Sequence, residues 1–254
     1  MPTDLTLRPG TTDDLPEIAE LFYAARRVAV PHMPKVISDD DGIRAWFAEH
    51  GPGREIWVAE DDQIVGYAQL SGYWLDALYV GPHRQGGGVG SALLDVVKAQ
   101  RPDGFGLWVF ASNSPARGFY HRHGLVELEH TDGSGNAEQS PDVRMVWPGQ
   151  DPLRFLRGQI DEVDDELALL LARRFALTAT VQGFKDNPGK QGRDPDREAE
   201  IASRMAAHAP GLGQAAIARI MHTVIEESLD AYENSSQNRP DSATGGERRA
   251  GAER

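Results

Sequence analysis

No cysteine occurs among the 254 residues, which removes disulfides, thiolate metal ligands and a thiol nucleophile together and suits a reducing compartment. No apolar run approaches the roughly 18 to 20 residues that a membrane span requires, so nothing is expected to cross a bilayer. Basic residues are scarce beside acidic ones, 26 against 39. The resulting net charge of -13 speaks against nucleic acid, whose phosphates demand a basic surface or stripe. Met1 to Pro9 also lacks the basic start and apolar stretch of a signal peptide. A cytoplasmic protein acting on small molecules, with no metal and no membrane partner, is the expectation. The acidity either favours a cationic amine substrate or merely keeps the chain soluble.

Two hydrophobic rhythms divide what is present. Up to about Trp147, short apolar runs at Ile56 to Ala59, Ile64 to Leu70, Leu75 to Val80 and Leu107 to Phe110 alternate with helical patterns and Gly/Pro punctuation, predicting an α/β domain over 1–148. Beyond the turn-rich Pro148 to Pro152, apolar residues recur only at helical spacing, from Leu153 to Phe184, from Ile201, and from Ile217 to Leu229. An all-α domain over 151–234 is therefore expected. From Glu233 onward there is little to bury, and 235–254 reads as a disordered tail.

In the first half, Leu75 to Val80, Gly81-Pro-His-Arg84, Gln85-Gly-Gly-Gly-Val-Gly90 and the helical Ser91 to Gln100 set a strand, a glycine loop and a helix N-terminus in order. Such a sequence aims backbone amides at one point, adds the positive end of the helix dipole, and lets a phosphate come close to the backbone. By itself a glycine loop is also an ordinary flexible turn. Taken with Leu107-Trp-Val-Phe-Ala-Ser-Asn113 and Phe119-Tyr120-His-Arg-His-Gly124-Leu125, the pattern resembles the GNAT acetyltransferases over residues 5 to 147.

The resemblance implies a mixed twisted sheet flanked by helices, with acetyl-CoA as cosubstrate and an amine as acceptor. It places the pyrophosphate on Gln85, Gly86, Gly87, Gly88, Val89 and Gly90, and the pantetheine arm against Leu78, Val80 and Asn113 where two parallel strands splay apart. Tyr120 is implied as the general acid that protonates the departing thiolate, which a phenol protonated at pH 7 can do. Taken alone, Tyr120 also reads as a core tyrosine beside Phe119, and Asn113 as an ordinary helix N-cap. A base for the amine is needed too, with Asp76, His83 and Glu138 as candidates.

In the second half, a helix from Leu153 to Phe184 would extend about 50 Å and must pack on a partner. Arg174 and Lys185, three turns apart, are expected on one face, while Arg157 lies about 100° away from Arg174. Leu156-Arg157-x-x-Ile160-x-x-Val163-Asp164, Leu170-Leu171-x-x-Arg174, Lys185, and Arg193-Asp194-x-x-Arg197-Glu198 resemble the AroQ chorismate mutases, from about Leu153 to Tyr232. This implies a three-helix domain in an intertwined homodimer, with Arg157 reaching into the partner's site.

Carried over, Arg157 and Arg174 bind the two substrate carboxylates, Lys185 donates to the ether oxygen, Asp194 and Glu198 hold the hydroxyl region, and Ser228 meets a carboxylate. A unimolecular rearrangement needs only such orienting and charge-stabilising groups. Tyr232 stands where these enzymes place Gln or Glu as second donor to the ether oxygen. It leaves open a chorismate relative such as 4-amino-4-deoxychorismate or isochorismate as substrate. The expected whole is a bifunctional fusion. Its alternatives are an acetyltransferase whose helical half only dimerises or senses chorismate, and a working mutase with a CoA-binding regulatory half.

Overall fold

The structure, a computed structural model, describes residues 5–37, 39–51 and 53–237. The chain divides into two compact units between Gln159 and Ile160, and each is described separately. The first unit is built on a seven-stranded sheet: β1 Thr6–Pro9, β2 Glu55–Glu60, β3 Ile64–Ser71, β4 Trp74–Val80, β5 Phe105–Phe110, β6 Val126–His130 and β7 Asp142–Trp147. Their order in space is β1-β2-β3-β4-β5-β7-β6. Every pairing is antiparallel except β4 with β5.

Alternation along the central strands covers both faces. Val58 and Tyr67 join one core cluster while their neighbours Ala59 and Ala68 join another, because successive strand residues point to opposite faces. On one side lie α1 Leu15–Val28 and α2 Asp40–His50, contributing Leu15, Ile18, Leu21, Ile43 and Phe47. The other side takes α3 Val89–Gln100 and α4 Ser114–Arg122. Val89, Leu93, Leu94 and Val97 recur at helical spacing and are buried, each contributing about 1.5 to 3 kcal/mol of transfer free energy. The sheet is thus the mixed, helix-flanked one expected.

Helices α5 Pro152–Gln182, α6 Pro195–His208 and α7 Gly213–Gln237 follow. Asp194 caps α6 by accepting the Arg197 amide at 3.0 Å, and Pro195 stands at N1, where its missing N–H costs nothing. Helices α6 and α7 meet through Ala202, Ile217 and Met221, with Ile201, Met205 and Val224 around them. Helix α5 buries Gln182 alone among its residues. Leu153, Ile160, Val163, Leu167, Leu170, Leu177 and Val181 remain largely exposed. They lie three, four or seven residues apart, the spacing of one helix face.

Two sequence expectations change here. Helix α5 stops at Gln182, where Gly183, Phe184 and Lys185 turn back with bonds to the carbonyls three residues before. Lys185 therefore does not continue the Arg174 face. Helix α7 runs to Gln237, into the stretch read as a tail. Ser235 and Ser236 return their hydroxyls to the Tyr232 carbonyl at 2.8 and 2.9 Å, as hydroxyl residues within a helix do. The remainder of the expected tail, 238–254, lies outside the described residues. Among the described residues no helix is long and apolar enough to cross a membrane.

Candidate functional site

The first unit holds a cleft of about 860 Å³ where β4 and β5 part. These strands pair only at Trp74 with Gly106, tied by the Gly106 amide to the Tyr73 carbonyl at 3.0 Å. Beyond that point Leu75 to Val80 and Leu107 to Phe110 diverge, and the register of β3 against β4 slips beside Asp76. A bulge of this kind bends one strand and leaves backbone groups without partners. Leu78, Val80 and Asn113 line the opening.

At one end stands the glycine loop. Gly86 and Gly88 have φ of +76° and +87°, and a Cβ on either would meet nothing within 4 Å, so the backbone shape calls for glycine while the space before it is open. Gly88 is the N-cap of α3 without a side-chain capping bond. The first amides of the helix are thus left for an external acceptor. Gln85, Gly86, Gly88 and Gly90 line the cleft, while the Val89 side chain is buried in the core. Gln85 donates to the Val80 carbonyl at 3.2 Å. A pyrophosphate fits this cradle.

Tyr120 lines the cleft from α4 and is 8% exposed. Burial, and next the neighbouring Tyr79, push its hydroxyl above the ordinary phenol range, so it holds its proton throughout neutral pH. Asn113 caps α4 by accepting the Ala116 amide at 3.3 Å. Of the base candidates, Asp76 and Glu138 line the cleft and His83 does not. Asp76 faces Arg54 at 3.4 Å, and Glu138 faces Arg26 at 3.0 Å. Sequence reasoning missed Arg26, which is 112 residues from its partner. The available signal was a charged residue three turns from Leu15 on the apolar stripe of α1.

In the second unit, Arg174 donates to Ser228 Oγ at 2.9 Å, so the polar residue on the apolar stripe of α7 has the arginine as partner. Partial burial lowers the Arg174 pKa, leaving it a cation at neutral pH. Glu198 is gripped side-on by Arg193 at 2.8 and 2.7 Å. This pairing holds the Glu198 carboxyl below the usual carboxylate range. Its stabilisation is complete above the ordinary carboxylate pKa and fades only as pH falls through the depressed one. Lys185 gives its ammonium to the Gly192 carbonyl at 2.7 Å. Tyr232 is half-buried and Arg157 exposed.

Arg193 was quoted within the motif without a role, and Gln182 and Glu233 were not singled out from sequence, yet all three make contacts in this unit. Gln182 accepts the Gly189 amide at 2.8 Å and Glu233 the Lys190 amide at 2.8 Å, strapping the α5–α6 connection onto α7. Among the described residues, no group of three or more His, Cys, Asp or Glu is placed to hold a metal.

An acetyltransferase (GNAT) domain model matches residues 52–127 and a chorismate mutase type II model matches residues 156–233. Among curated relatives, the peptidyl-lysine N-acetyltransferase YiaC of Escherichia coli is 32% identical over 146 residues, covering 56% of this chain and 96% of that protein. The chain belongs to the GNAT acetyltransferases. Peptidyl-lysine N-acetyltransferase YjaB of Escherichia coli is 39% identical over 100 residues, 39% of this chain and 67% of that one. The solution structure of its apo form matches with a TM-score of 0.49 at 21% identity, covering 57% and 98% of the two chains. The GNAT domain is followed by the region that matches the chorismate mutase type II model, in the order that the sequence motifs imply.

Proposed function

We propose that the chain is a bifunctional enzyme, transferring acetyl from acetyl-CoA to an amine with residues 1–148 and rearranging chorismate, or a close analogue, with residues 151–234. The splaying of β4 from β5 above an uncapped, glycine-opened helix N-terminus is the observation that carries the first activity. In this reading the amides around Gly88 hold the pyrophosphate, and the freed edges at Leu78, Val80 and Asn113 hold the pantetheine arm. Asp76 or Glu138 takes the proton of the amine, its nitrogen bonds to the thioester carbon, and the C–S bond breaks as Tyr120 protonates the sulfur. Gly88→Ala should weaken acetyl-CoA binding about tenfold or more, since a Cβ at positive φ costs roughly 1 to 2 kcal/mol and also occupies the cradle. Isothermal titration measures it, and unchanged affinity would remove the cradle.

The second activity is read from two separate pairs, Arg174 with Ser228 and Arg193 with Glu198. Arg174 and Arg157 would hold the carboxylates, Lys185 and Tyr232 would donate to the ether oxygen as its C–O bond breaks, and Asp194 and Glu198 would hold the hydroxyl region. The exposed seam of α5 supports a homodimer, with Arg174 falling in the same three-four spacing as Leu167, Leu170 and Leu177. Sedimentation should give a dimer for the full chain, and Leu170→Glu should shift it toward monomer. A monomeric wild type would end both the dimer and the shared site. The charge, the absent cysteines and the substrates support a cytoplasmic location, outside membranes and away from nucleic acid. Tyr232 keeps 4-amino-4-deoxychorismate and isochorismate beside chorismate in the first assay, which identifies products from all three.

A further inference from the structure

One large aromatic side chain stands open to the acetyltransferase cleft from the middle of the sheet. Along β5, Phe105, Leu107 and Val109 are buried in the core shared with α3 and α4, whereas Trp108 is 44% exposed and lines the cleft. Successive strand residues point to opposite faces, so Trp108 stands on the face away from α3. Trp74 lies beside it, the two ring planes within 16° of each other and their centres 6.4 Å apart. Gly106 makes room for this arrangement, since a Cβ there would meet the Trp74 ring at 2.9 Å. The Arg144 guanidinium, 5.4 Å from the Trp74 ring centre, steadies that ring in turn.

The place of Trp108 along the cleft matters as much as its exposure. The glycine loop opens after Val80 at one end, and β4 and β5 close at Trp74 and Gly106 at the other. An acetyl-CoA arm entering from the loop therefore carries its thioester toward the closed end. Trp108 and Asp76 each stand two residues from that closing pair, about 7 Å along a strand, and both line the cleft. Asp76 meets Arg54 through Oδ2 at 3.4 Å. An indole and a carboxylate thus flank the approach to the thioester.

We propose that Trp108 determines the choice of acetyl acceptor, and that the acceptor is a small amine carrying an aromatic ring. The ring lies against the exposed indole, and the amine approaches along the Asp76 side. Contact between aromatic rings is favourable beyond the area it buries, whereas a lysine side chain brings only a methylene stem. The inference rests on the proposed acetyl transfer and names the class of its acceptor.

Phenethylamine, 3-phenylpropylamine and 4-phenylbutylamine test it, each beside its cyclohexyl counterpart, with a capped lysine peptide as the aliphatic acceptor. CoA release by the full chain should favour the best phenyl amine over its cyclohexyl counterpart by at least threefold in kcat/KM, and over the peptide by at least tenfold. Titrating the CoA-loaded protein with the matching N-acetyl products should show the same threefold preference, free of differences in amine basicity. In Trp108→Ala each preference should fall by at least threefold. Trp108→Phe, which keeps a ring, should stay within twofold of the wild-type preferences. Acetyl-CoA titration shows whether a variant is folded, and Trp108→Leu, apolar without a ring, stands in if Trp108→Ala is not. Equal or better use of the cyclohexyl amines or of the peptide overturns the proposal. So does a folded ringless variant that keeps the phenyl preference, or acetyl-CoA binding by the wild type with no turnover of any phenyl amine. Failure of the wild type to bind acetyl-CoA at all would instead remove the acetyl-transfer reading beneath it.

Discussion

Arg157→Ala and Arg174→Ala are each expected to cost the mutase activity at least tenfold, and mixing the two variants is expected to bring part of it back. Removing either guanidinium leaves a substrate carboxylate without its partner, at a cost of about 2 to 5 kcal/mol as for a truncated charge pair, or roughly 30-fold to several thousandfold. The two arginines lie 17 residues apart on α5, about 100° apart around its axis, so one site can use both only by taking them from different chains. Arg174 is already directed to Ser228 on α7 of its own chain, whereas Arg157 is exposed.

Random exchange of subunits would make half of the dimers mixed, each with one intact and one doubly defective site. About a quarter of wild-type activity should then return. Product formation from chorismate, or the best analogue, after verified exchange measures it. No recovery would place both arginines in one chain's site or in none, and full activity in both single variants would end the mutase proposal.

Tyr120→Phe is expected to lower kcat for acetyl transfer by about 100-fold, within the range by which positioned general acids act, while acetyl-CoA affinity changes less than threefold. The hydroxyl alone is removed, and the ring that fills the core beside Phe119 stays. Burial raises the pKa of Tyr120, so its acid form persists through the neutral range. The wild-type rate should therefore show no loss from this group as pH rises from 6 to 9. Parallel losses of binding and rate in Tyr120→Phe would mean that the tyrosine is only a wall of the cleft. An unchanged kcat would assign the proton to another donor.

Periodicity and motif spacing made most of the architecture legible. The apolar runs of β2, β3, β4 and β5 were each located within a residue or two, because a strand buried on both faces has little freedom of composition. Gln85 to Gly90 announced the turn into α3, since positive φ there calls for glycine. The end of α5 was less legible. Apolar spacing continues through Phe184, and only the backbone bonds to residues 180–182 reveal that the helix has closed before Lys185.

Long-range partnership was not legible at all. Nothing near Arg26 in sequence points to Glu138, 112 residues away. By itself the sequence determined the two domains, their order, the glycine loop and the identity of the charged residues. These follow from local rules in which each residue's neighbours along the chain carry the signal. Tertiary structure alone decided how far β4 parts from β5, which carboxylates reach the cleft, and that Arg26 is buried there against Glu138. Those outcomes depend on which distant segments the sheet and its loops bring together, and on how buried charges then share a limited number of partners.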